Sequence, residues 1–68
     1  MAIARVALPV DTAAAFDYWI PAGLAIERGA LVRVRLAGRV LAGVVVDVVP
    51  TSEVPQEKLQ PIVEVRSD

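Results

Sequence analysis

Two hydrophobic runs separated by Ala37-Gly38 constrain this 68-residue chain more than any other feature. Residues 31–36 (LVRVRL) alternate strictly, which in a pleated strand puts Val32, Val34 and Leu36 on one face and Arg33 and Arg35 on the other. Residues 40–49 (VLAGVVVDVV) form a long β-branched run that suits a strand and little else. Two strands this close in sequence pair as a hairpin, with Ala37-Gly38 as the tight connection. Alanine is a poorer first residue for such a turn than Asn or Asp. Gly43, inside the second run, marks a bulge, a sharp bend or a close approach of another group. Val44, Val46 and Val48 share one face, and Val45, Asp47 and Val49 the other, so burial on both sides is expected near the middle.

The rest of the chain supplies further short strands. Residues 3–8 (IARVAL) put Ala4, Val6 and Leu8 on one face and Ile3, Arg5 and Ala7 on the other. Pro9 and residues 11–15 read as a loop, since proline cannot donate to a ladder and Thr12-Ala13-Ala14-Ala15 is too short for a stable helix. Residues 16–20 form the second strand, and Pro21-Ala22-Gly23 turns the chain. Pro50-Thr51-Ser52 ends the long run. Residues 55–59 make one helical turn with proline at its start and an upstream Ser or Thr as cap, and residues 62–65 form a last strand. Five short strands and one helical turn predict an all-β domain, a small antiparallel barrel or strongly bent sheet.

Composition bounds the function. Sixty-eight residues allow one core, and a chain that short buries only about 60% of its unfolded surface. With no cysteine and no histidine, disulfides, thiolate metal sites and the commonest general base are excluded. No apolar run approaches a membrane span and the start lacks the layout of a signal peptide, so a soluble, cytoplasmic domain is expected. Catalysis by this chain is not expected. Ser52 and Ser67 have no histidine to pair with, Glu53 and Glu57 fall on the short helical turn as an exposed pair, and no phosphate-binding glycine loop is present. No metal site and no cofactor is expected.

All the aromatic side chains, Phe16, Tyr18 and Trp19, sit in one four-residue stretch with Asp17. Alternation puts Phe16, Tyr18 and Ile20 on the core side and Asp17 and Trp19 on the other. A carboxylate beside an indole suits a flat polar ligand such as a nucleobase, and it equally suits a solvated acid beside a packing residue. The net charge is −1, yet Arg28, Arg33, Arg35 and Arg39 fall within twelve residues that hold no acid. A local basic face on a neutral domain fits contact with a few phosphates; an ordinary solvated strand face has the same composition.

The order of these residues carries more. Ala4-Arg5-Val6-Ala7-Leu8-Pro9-Val10, Phe16-Asp17-Tyr18, Ile20-Pro21-Ala22-Gly23, Gly29-Ala30-Leu31-Val32-Arg33-Val34, Gly43-Val44-Val45-Val46 and Ser52-Glu53-Val54-Pro55 with Lys58-Leu59 follow one another in a fixed register. This pattern resembles the N-terminal domain of the replication-restart helicase PriA family (primosomal protein N′), over essentially the whole chain. The resemblance implies a module that binds the 3′ end of a DNA strand, the end of the nascent leading strand at a stalled or abandoned fork. It also implies a fragment of a longer ATP-dependent helicase. ATP, Mg and zinc would belong to the rest of that protein, and primosome and single-strand-binding proteins would be its partners.

The resemblance also implies a pocket for the terminal nucleotide. It is built around Phe16, Asp17 and Tyr18, a glycine at the turn between the third and fourth strands, and a lysine after the helical turn. Asp17 would accept hydrogen bonds from the nucleotide, and its charge would repel a 3′-phosphate. The turn glycine is here either replaced by Ala37 or displaced to Gly38. The lysine aligns with Gln60, with Lys58 two residues earlier, and Arg35 stands where the family has proline. Candidate phosphate contacts are Arg33, Arg35, Arg39 and Lys58. The competing expectation is a barrel that braces neighbouring domains without touching DNA.

Overall fold

The computed structural model describes residues 2–10 and 15–66. The expected loop at 11–15 therefore falls, apart from Ala15, outside the described residues. Six strands form a single sheet: β1 Ile3–Ala7, β2 Phe16–Trp19, β3 Leu31–Leu36, β4 Arg39–Val49, β5 Gln60–Pro61 and β6 Glu64–Arg66. Their order across the sheet is β5-β2-β1-β4-β3-β6, and the sheet curls into a half-barrel. All neighbours are antiparallel except β2 and β5. No helix among the described residues is long and apolar enough to cross a membrane.

The sequence predicts five strands, the last at 62–65; that strand instead runs over Glu64–Arg66, with Ile62 and Val63 forming the link that leads into it. The sixth is the two-residue β5, which pairs Tyr18 with Gln60 and Trp19 with Pro61. A proline-containing pair of residues has no sequence signature of a strand; tertiary pairing makes it one. Its consequence is closure. The single segment 60–66 first pairs with β2, then passes through Ile62 N–H to Trp19 O (3.0 Å) and Val63 N–H to Arg33 O (2.8 Å), and then pairs with β3 as β6. One short stretch thereby joins the two outer strands of the curled sheet over part of their length, at Tyr18–Trp19 of β2 and Leu31–Arg33 of β3.

The hairpin forms as the alternation dictates. Val32 and Val34 are fully buried, while Arg33 and Arg35 face outward. Ala37 (φ 51°) and Gly38 (φ 79°) both adopt the left-handed conformation that a two-residue hairpin of matching twist needs. The core joins these valines to Ala4, Val6, Leu8, Tyr18, Val45 and Ile62, with Leu24, Ile26 and Ala30 of the connecting segment packed against it.

Two expectations about faces need correction. In β4 the register against β1 slips between the pairs Arg5↔Asp47 and Val6↔Val45, so Val46 is an extra residue. The bulge lies there and not at Gly43. It turns Val48 toward the core while Val44 and Val46 stay exposed, so the middle of the strand is buried on one side only, and Asp47, Val48 and Val49 at its end are all half-buried. Gly43 instead answers to close approach: a Cβ there would lie 2.5 Å from Val6 Cγ1, 2.7 Å from Leu8 Cδ2 and 2.9 Å from the Ala7 carbonyl. The second correction is Ile3, which is 2% exposed although it faces away from the main core. The connection from β4 to β5 covers it, with Pro50, Ser52, Val54 and Leu59 around it.

Candidate functional site

A cleft of about 530 Å³ opens where the seam between β2 and β3 is left unpaired. The closing segment reaches β2 only at Tyr18 and Trp19 and β3 only from Leu31 to Arg33. Beyond those pairs the start of β2 faces the end of β3 with no strand between them. What ties the two edges there is the Tyr18 hydroxyl, which donates to the Arg35 carbonyl at 2.9 Å. Burial, with 3% of the residue exposed, pushes the Tyr18 phenol above its ordinary pKa, so it stays a donor through neutral pH.

Asp17 sits at the β2 wall of this cleft, and its carboxylate is fixed from two sides. Arg5, its cross-strand partner on β1, places Nε 3.6 Å from Oδ1. The Ser52 hydroxyl donates to Oδ2, and Ser52 Oγ in turn accepts the Val54 amide at 3.1 Å. The expected role of Ser or Thr as a cap is thus not taken up by Ser52. The 3₁₀ turn Gln56–Lys58 begins at Pro55 with no side-chain cap, and Ser52 holds the crossing segment onto Asp17 instead. The Asp17 side chain keeps 14% of its surface exposed. A carboxylate offers about four lone-pair positions, so acceptor capacity remains for a ligand.

Seven of the ten residues singled out from sequence come together around the cleft: Phe16, Asp17, Tyr18, Arg35, Ala37, Lys58 and Gln60. Gly38, Arg33 and Arg39 are not among its lining. Of the two turn residues, Ala37 is the one at the wall. Arg33 stands across from Glu64 on β6, Nε to Oε1 3.4 Å, on the outer face of the sheet.

Sequence reasoning missed Arg5, Ala15, Leu36, Glu53 and Val54, which also line the cleft. Antiparallel pairing of the first two strands was the available signal for Arg5, since it is the partner of Asp17. The sequence places Glu53 on a helical face with Glu57, but the 3₁₀ turn starts three residues after Glu53 and leaves it on the cleft. The lining therefore holds three cations, Arg5, Arg35 and Lys58, against two carboxylates, Asp17 and Glu53. Among the described residues no group of three or more acids gathers to hold a metal ion.

Such a cleft has the size of a small-molecule site, ~300–1,000 Å³. It offers acceptors at its β2 wall, an aromatic ring at Phe16 and cations for one or two phosphates. A family model described as the 3′ DNA-binding domain (3′BD) matches residues 5–68, a stretch that includes every residue of the cleft. That family binds the 3′ end of DNA and is a binding domain rather than a catalytic one. On that match, the chain belongs to the 3′ DNA-binding domain family of PriA.

Proposed function

We propose that the cleft holds the 3′-terminal nucleotide of a nascent leading strand at a stalled or abandoned replication fork, and so positions the rest of a PriA helicase for restart. The observation that carries this reading is the Asp17 carboxylate, fixed by Arg5 and Ser52 yet still open to the cleft. A fixed acceptor costs no reorganisation when a 3′-hydroxyl or a base amino group donates to it. A 3′-phosphate placed against Asp17 would set one anion on another where a hydroxyl can donate, so a free hydroxyl end is preferred at that wall by repulsion of the alternative. Arg35 and Lys58 face the same space and can meet the phosphate that links the terminal nucleotide to the one before it.

The other expectation, a barrel that braces neighbouring domains, draws support from a different surface. Leu31 (51% exposed), Val44 and Val46 lie on the outer side of the hairpin, away from the cleft. An apolar face of this kind suits packing against other domains of the helicase, and it leaves the cleft free for DNA. The test is fluorescence anisotropy with short oligonucleotides that end in a 3′-hydroxyl, a 3′-phosphate or a blocked 3′ carbon. The hydroxyl end is expected to bind most tightly, and Asp17→Ala to erase that preference while circular dichroism stays unchanged. Equal binding of all three ends by the native chain would sink the reading.

A further inference from the structure

We propose that Trp19 stacks on the base that precedes the 3′-terminal nucleotide, forming a second nucleotide subsite beside the terminal cleft. The inference rests on the end-binding reading above and extends it by one nucleotide. Trp19 follows Asp17 by two positions on β2, so both point to the same face, about 6–7 Å apart along the strand. That is roughly the reach of one extended nucleotide. Trp19 lines a separate hollow of about 470 Å³ together with Ile20, Ala22 and Gln56, and no charged residue contributes to its walls.

The ridge between cleft and hollow is the 3₁₀ turn with the start of β5. Gln56 faces the hollow, whereas Lys58 and Gln60 face the cleft. A strand that leaves the cleft over this ridge would carry its linking phosphate past the Lys58 ammonium and its next base to the indole. The indole is prepared for this. Its cross-strand partner Ile3 is buried under the 50–59 connection, which gives Trp19 a packed support, and the residue still keeps part of its surface open. An uncharged hollow with one large ring and one amide at its edge suits stacking, which tolerates any base, better than hydrogen-bond readout.

Trp19 is the single tryptophan of the chain, so its emission reports on this subsite alone. The probes are a 5′-labelled thymidine tetranucleotide with a 3′-hydroxyl and the same oligonucleotide with an abasic site at the penultimate position. The intact probe is expected to quench Trp19 emission and the abasic probe to leave it unchanged, with affinity lower by roughly 5- to 100-fold. Trp19→Leu should weaken the intact probe by a similar factor and leave the preference for a 3′-hydroxyl over a 3′-phosphate intact. Trp19→Phe, which keeps a ring, should retain most of the affinity. Equal affinity for intact and abasic probes overturns the inference, a result that needs no variant to fold. If the native chain shows no preference among 3′ ends, the end-binding reading and this subsite fall together, whereas a clear 3′-hydroxyl preference with equal affinity for intact and abasic probes overturns the subsite alone.

Discussion

The two sides of this curled sheet follow different rules. The β3–β4 hairpin is long and regular, pairs six consecutive residues from Leu31↔Val44 to Leu36↔Arg39, and holds much of the buried valine. The β2–β5 side is short: four residues of β2, two of β5, a parallel pair, and then an unpaired stretch bridged by one tyrosine hydroxyl. The regular side carries an exposed apolar outer surface, and the irregular side carries the cleft. Closing a barrel from so few residues leaves part of one seam open. In this chain the opening coincides with the acid, the aromatic ring and the cations. Stability is concentrated where pairing is complete, and the candidate site lies where it is not.

The largest effect should come from the regular side. A side chain at Gly43 meets Val6 and the Ala7 carbonyl, which is backbone and cannot move aside. Gly43→Ala should cost on the order of 3 kcal/mol. A domain of this size has only roughly 3–10 kcal/mol in total. Urea denaturation should show it, and an unchanged midpoint would mean that β1 and β4 approach less closely than described.

Tyr18→Phe should weaken the seam by about 1–1.5 kcal/mol, because it deprives the Arg35 carbonyl of its donor. Unlike Gly43→Ala, it should also broaden the cleft and reduce selectivity among 3′ ends. The same hydroxyl predicts an alkaline limit. Its pKa is raised in the folded state, so its contribution is complete below the ordinary tyrosine pKa, ~10, and is lost as pH rises through the folded value. A urea midpoint that falls above pH 10 in the native chain and falls less in Tyr18→Phe would show it.

Ala37→Gly should stabilise the hairpin by about 0.5–1 kcal/mol, since alanine is held at φ 51° where glycine is unstrained. The smallest effect is expected at Arg33. Its partner Glu64 is about half exposed, as it is itself, and Arg33→Ala should cost under ~1 kcal/mol. Arg35→Ala should lower oligonucleotide affinity and reduce its salt dependence, whereas Arg33→Ala should leave both unchanged. The reverse result would move the phosphates to the outer face.

Legibility in the sequence follows the same division. Strand 31–36 is found at its observed bounds because both of its faces are marked, valine inward and arginine outward. Strand 40–49 is found to within one residue, but its faces beyond Val45 are not, since a bulge at the last of three consecutive valines, Val44 to Val46, changes no residue type. Ile3 looks like an outward residue because the segment that covers it arrives some fifty positions later. At the site, Asp17 and its aromatic neighbours stand out by composition and register. Arg5, Ser52 and Glu53 do not, because strand pairing and a crossing connection bring them to Asp17, and neither is written in local sequence. The two-residue β5 leaves no local trace, yet it defines where the seam stops and the cleft begins.

The claim on which all of this turns is that the open seam, and not the apolar outer face, receives the 3′ end. Amide chemical-shift mapping of the ¹⁵N-labelled chain with a 3′-hydroxyl dinucleotide tests it directly. The account predicts shifts concentrated at residues 15–19, 35–37, 52–54 and 58–60, with little change at Leu31, Val44 and Val46. Shifts centred on those three residues, with Asp17 and Arg35 unmoved, would contradict it.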